Sequence, residues 1–140
     1  MAGSEIRVSR VLAGPPDIVW RALTESALIA EWLMPNDFKP EVGHTFTMRT
    51  KPGPGFDGVV NAEVLELEPE QRMVWKWVGG PIDTTVEFTL EPEGDGTRLT
   101  VRQAEFRGFK AKAVSAILYL GWRKILGSVI PGVLAKLRAE

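Results

Sequence analysis

Residues 116–134 read AILYLGWRKILGSVIPGVL. The large apolar side chains predict a helix, yet three glycines, a serine and a proline stand among them. An interior Gly costs a helix about 1 kcal/mol relative to Ala and an interior Pro about 3 kcal/mol, so something local must offset them. Placed about 100° apart around a helix, Val114, Gly121, Ile125, Ser128 and Gly132 share one face, with Ile117, Leu118 and Trp122 at its margins. Small residues on the face that closes over a sheet allow two readings: the backbones approach closely, or the missing side chains leave a cavity. Interiors are otherwise packed nearly without voids, so unfilled space argues for a ligand, and the cavity is the preferred reading. On the same wheel Tyr119, Leu120, Leu126, Ile130 and Leu134 fall on the back, where either the two early helices cover some of them or they form an apolar surface suited to a partner or to a homodimer.

Upstream of this helix, predicted over residues 110–138, stand four or five strand candidates: HTFTMRT, VVNAEVLEL, RMVWKWV, TTVEFTLEP and TRLTVRQAEF. The separators KPGPGFDG, EPEQ, GGPID and EGDG carry the Gly, Pro and Asp of tight connections, so the strands are expected to run as a meander. Val86, Phe88 and Leu90 alternate with Thr85, Glu87 and Thr89, and Leu99 and Val101 with Thr100 and Arg102. Each strand therefore buries one side. Before the meander, EIRVSRVL predicts a strand carrying Ile6, Val8 and Leu12, with imperfect alternation. GPPDIVWRALTES predicts a helix with Pro in its first turn, and ALIAEWL a second short helix stopped before Pro35. One sheet with one apolar face, closed by one long helix, is an α+β layer architecture.

The 140 residues are expected to form one domain, 1–140. A formal net charge of -1 offers no broad basic field for a phosphate backbone, so nucleic acid is not an expected partner. The absence of cysteine removes thiolate metal sites and thiol catalysis, and fits the reducing cytoplasm, the expected location. MAGSEIRVSRVL has no apolar stretch of signal-peptide length. The apolar run 113–122 ends at Arg123 and Lys124, whereas a membrane span needs about 20 residues. No span is expected.

The segments PPDIVWRALTESALIAEWLMP, VGHTFTM, VLELEPEQRMVWKW, TRLTVRQAEF and GWRKIL, in that order, resemble the START-like helix-grip superfamily, also called SRPBCC. Within it the chain is most similar to the activator of heat-shock protein 90 ATPase homologues, and the likeness covers nearly the whole sequence. The resemblance implies a curved antiparallel sheet around the long helix and a ligand cavity between them. Two departures bear on that cavity: Gln103 stands where relatives often have His, and the loop between Pro35 and Val42 is short.

The residues expected to line the cavity are Phe46, Met48, Trp75, Trp77, Phe88, Val101 and Gln103 from the sheet, and Ile117, Gly121, Ile125 and Ser128 from the helix. Aromatic and Met side chains suit an apolar pocket, although they are equally ordinary core material. Gln103 follows Leu99 and Val101 on the inward face, where its amide needs a partner from protein, water or ligand. The same alternation would put Glu105 inward, but a place at the solvent edge, as a sheet-end residue, is the preferred reading for it. KPGPGFDG precedes no helix, which excludes a phosphate loop and leaves a hairpin over the pocket mouth. Glu63, Glu66 and Glu68 read as a solvated strand edge, so no metal or other cofactor is expected. The favoured function is noncatalytic binding of a small apolar or amphipathic molecule. Two alternatives stand beside it: a co-chaperone-like activator of a heat-shock ATPase, and a polyketide cyclase or aromatase-like enzyme. The enzyme would draw its acid or base from Glu105, Tyr119, Arg49 or His44.

Overall fold

The computed structural model describes residues 4–139. Strand β1 (Ser4–Ala13) is followed by helices α1 (Pro16–Thr24) and α2 (Ser26–Trp32). Then come strands β2 (Thr45–Arg49), β3 (Val59–Glu68), β4 (Arg72–Gly79), β5 (Ile82–Glu93) and β6 (Gly96–Phe106). Strands β2 to β6 form the expected antiparallel meander, and β1 pairs with β6, giving the order β1-β6-β5-β4-β3-β2. The chain closes with a long helical rod made of α3 (Phe109–Lys124), a π turn (Ile125–Val129) and α4 (Ile130–Arg138). A curved antiparallel sheet around one long helix is the helix-grip fold.

Alternation builds the inner face of the sheet. Along β5, Ile82, Thr84, Val86, Phe88 and Leu90 are buried while the residues between them stay partly or fully accessible. In β4, Met73, Trp75 and Trp77 face inward. Trp75 lies at the centre, with ring centroids 4.7 Å from Phe88, 5.2 Å from Phe46 and 5.6 Å from Phe38. Proline and Asp17 start α1 as the sequence predicts, and Val19, Ala22 and Leu23 turn inward. The Trp32 indole N–H donates to the Ala22 carbonyl at 2.8 Å, which fixes α2 to α1.

The backbone leaves its regular period at two places: at the first the preferred solvent-edge reading holds, and at the second the expectation fails. The first is Glu105. With φ of +77° it occupies the left-handed region, and the β1–β6 register skips it, passing from Ala104 opposite Glu5 to Phe106 opposite Ser4. An extra residue of this kind reverses the alternation, so Glu105 is exposed and Phe106 takes the interior place.

The second is the face of the closing helix. Ala111 and Trp122 of α3 are buried, with Val114 and Leu118 half-buried between them, and beyond the π turn Leu126, Ile130, Val133, Leu134 and Leu137 are buried. Leu126, Ile130 and Leu134 therefore belong to the core and not to the back of the helix, and Ser128 and Gly132 are exposed instead of facing the sheet. The cause is the π turn. Ile130 N–H bonds to the Ile125 carbonyl, five residues back, so the turn holds one residue more than an α turn and rotates the following half by about 100°. A fixed 100° wheel carried through this segment misplaces everything beyond it. Pro131 supplies the reason for the turn, because it has no N–H and its ring would strike the carbonyl four residues back, that of Gly127, in a regular helix.

Candidate functional site

Between the sheet and α3 lies a cavity of about 990 Å³, open on one side and chiefly apolar. Val60, Trp77 and Ile82 form its sheet wall, and Val114 and Leu118 its helix wall. Its rim consists of the hairpin residues Pro54, Gly55 and Phe56, the turn Gly79, Gly80 and Pro81, and the start of α3 at Phe109 and Lys110. The two glycines of the turn make a seat for Phe56, since a Cβ on Gly79 would lie 3.2 Å from its ring and one on Gly80 3.3 Å from its Cβ. KPGPGF is thus held at the mouth.

From the lining residue Trp77 a chain of buried hydrogen bonds runs through the core. The Trp122 indole N–H donates to Gln103 Oε1 at 2.9 Å, the Gln103 amide N–H donates to Thr84 Oγ1 at 3.0 Å, and the Thr84 hydroxyl donates to the Trp77 carbonyl at 3.1 Å. This chain ties α3 to β6, β5 and β4 in turn. It also answers the question Gln103 raises as a buried amide: its partners are protein groups. Trp122 packs on Trp77 with centroids 6.1 Å apart and on Phe88 at 6.0 Å. The core behind the lining residue Trp77 is therefore aromatic.

Of the side chains expected to line the cavity, Trp77 does so. Phe46, Met48, Trp75, Phe88, Val101 and Gln103 face the interior as expected but lie in the packed core and not on the cavity lining. Ile117 is 70% exposed on the outer side of α3, and Ser128 is exposed in the π turn. Gly121 and Ile125 are half-buried. The residues the sequence reading missed, Met34, Val60, Ile82 and Phe109 among them, sit on four different elements or at their ends. Their common signal is proximity to the Gly- and Pro-rich separators, which mark the rim.

The groups nominated for acid or base chemistry lie elsewhere. His44 Nε2 is 2.9 Å from the Asp37 carbonyl, Arg49 and Glu105 are exposed, and the Tyr119 ring stacks under the Arg123 guanidinium at 5.7 Å. Thr50 and Lys110 are the polar side chains that reach the lining. Asp37 accepts the Thr47 backbone N–H at 2.6 Å, which holds its carboxyl below the usual carboxylate range and pins the short loop to β2. Among the described residues no three His, Asp or Glu side chains converge as a metal site would require.

An ideal Cβ on Gly121 meets nothing within 4 Å, so close helix packing is not what keeps this glycine. Gly121→Ala should therefore gain helix propensity with no clash and raise stability by up to about 1 kcal/mol. Urea denaturation checks this, and a loss of stability would show a contact that the geometry lacks.

The family profile described as Activator of Hsp90 ATPase homolog 1-like protein matches residues 13–134. No curated protein matches the chain. Among solved structures, protein MLL2253 from Mesorhizobium loti is 34% identical with a TM-score of 0.86, over 95% of this chain and 98% of that one. Protein BH1534 from Bacillus halodurans shares the fold at 22% identity and a TM-score of 0.79, over 96% of this chain and 99% of that one. DynU16, a protein of the dynemicin biosynthetic locus, is 26% identical with a TM-score of 0.73, over 94% of this chain and 46% of its own. Profile, element order and the gripped helix agree: the chain belongs to the family of activator of Hsp90 ATPase homolog 1-like proteins.

Proposed function

We propose that this protein binds a small apolar or amphipathic molecule in the cavity between the sheet and α3. The observation that carries the reading is the cavity itself, about 990 Å³ walled by Val60, Trp77, Ile82, Val114 and Leu118. That volume is at the upper end of the range for small-molecule pockets, roughly 300–1,000 Å³, and suits a fused-ring compound or a folded chain. Lys110 and Thr50 offer a polar end to an amphipathic ligand. Binding is favoured over turnover because Glu105, Tyr119, Arg49 and His44 are absent from the lining.

The test is titration with 1-aminoanthracene, followed by probe and tryptophan fluorescence. Saturable binding should raise the melting temperature, since a ligand at 100 times its Kd stabilises the native state by about 2.7 kcal/mol. Val114→Trp, which places an indole in the cavity, should abolish the effect while the circular dichroism spectrum stays native. No saturable binding by the wild type, or equal binding by Val114→Trp, would remove the cavity from consideration.

A further inference from the structure

The outer side of α3 is apolar where a surface helix should be polar. Phe109, Ala113, Ala116, Ile117 and Leu120 recur at helical spacing on the side turned from the core. Phe109 is 89%, Ile117 70% and Leu120 63% exposed. Of the most apolar 18-residue window in the whole rod, only 17% is buried. Core packing does not account for this hydrophobicity.

Charge says what covers it. Residues 106–139 contain seven basic side chains and no acidic one, whereas residues 4–105 contain ten basic and 17 acidic. Lys136 is paired with Glu31 and Arg107 with Glu105, but Lys110, Lys112, Arg123 and Lys124, which flank the apolar stripe, make no ion pair among the described residues. Two acidic groups next in sequence to lining residues are engaged: Asp57, after Phe56, accepts the Val59 N–H at 3.0 Å, and Asp83, after Ile82, pairs with Lys76 at 2.5 Å. A two-fold dimer through this face would set lysines against lysines. A surface with an apolar interior and anionic groups above it meets both the stripe and its flanks.

We infer that α3 docks on a lipid bilayer containing anionic headgroups. Phe109, Ile117 and Leu120 insert at the boundary between headgroups and acyl chains, and Lys110, Lys112, Arg123 and Lys124 lie among the headgroups. Phe109 and Ala113 belong both to the stripe and to the cavity lining, so the docked protein presents its cavity mouth to the lipid. A lipophilic ligand then enters without crossing water, a consequence that rests on the cavity reading, whereas docking itself does not.

Co-sedimentation with vesicles of phosphatidylcholine, with and without phosphatidylglycerol, tests the inference. Binding should need phosphatidylglycerol, weaken at high salt, and fall about fivefold for each of Lys112 and Lys124 neutralised to Gln. Leu120→Glu should reduce it by at least about tenfold, since it both removes an apolar anchor and reverses the local charge. Leu120 is outside the cavity lining, so this variant should still bind 1-aminoanthracene, which separates failure of docking from failure of the cavity. Equal partitioning onto both kinds of vesicle, or onto neither, would overturn the inference. So would a sedimenting dimer that Leu120→Glu dissociates, because a second copy would then cover the stripe.

Discussion

Trp122→Ala is expected to lower the unfolding free energy by about 3–5 kcal/mol, a drop in melting temperature of roughly 10–20 °C for a domain of this size. The indole is 2% exposed and touches Trp32, Trp77 and Phe88, so truncation empties the centre of the aromatic core. It also breaks the buried chain at its helix end and leaves Gln103 Oε1 without a donor. Trp122→Phe separates the two effects, because a ring remains while the N–H is lost. The orphaned acceptor alone should cost about 1–3 kcal/mol. Adding Gln103→Leu to Trp122→Phe should recover part of that loss, since both ends of the bond are then gone. Urea denaturation of the four proteins measures the coupling, and additivity of the single losses would mean that the bond contributes nothing to holding α3 on the sheet.

Gly58→Ala is expected to cost about 2 kcal/mol or more and to weaken probe binding in the cavity. Gly58 has φ of +83°, and a Cβ there would stand 2.5 Å from the Thr50 carbonyl oxygen and 3.0 Å from Pro52 N. Thr50 N–H donates to the Gly58 carbonyl at 2.8 Å, so this contact closes the neck of the hairpin that carries Pro54, Gly55 and Phe56 to the cavity rim. Forcing the neck apart should move the rim. Gly55→Ala is the control, with φ of +71° but nothing within 4 Å of its Cβ, so it bears the left-handed strain of roughly 1–2 kcal/mol without the clash. If Gly58→Ala were no worse than Gly55→Ala in stability and in 1-aminoanthracene affinity, the neck would not position the rim.

The sheet was legible because alternation is a local signal. Val86, Phe88 and Leu90, and then Leu99 and Val101, could be assigned to the interior from their neighbours alone, and Trp77 reached the cavity by the same rule. The rule broke at Glu105, where a single left-handed residue reverses the alternation without a glycine to announce it. The helix was legible as a helix but not in its orientation. Its buried set, Trp122, Leu126, Ile130 and Leu134, recurs every four residues, a spacing that suits a widened turn and that a fixed wheel reads as drift. The rim was the least legible, because Phe56, Gly80 and Phe109 are far apart in sequence and meet only through the order of the strands.

The π turn has a consequence for how the chain tolerates changes of length. Loss of one residue elsewhere in α3 or α4 would swing every following side chain by about 100° and turn Leu126, Ile130 or Leu134 to water. Loss of one residue within Ile125–Val129 would instead leave both halves in register, since the surplus residue is what the turn contains. The resulting regular helix would then place Pro131 against a carbonyl four residues back, at a cost of about 3 kcal/mol. The surplus residue and the proline are thus coupled: a shortened chain would keep a straight, stable helix only if Pro131 were replaced as well.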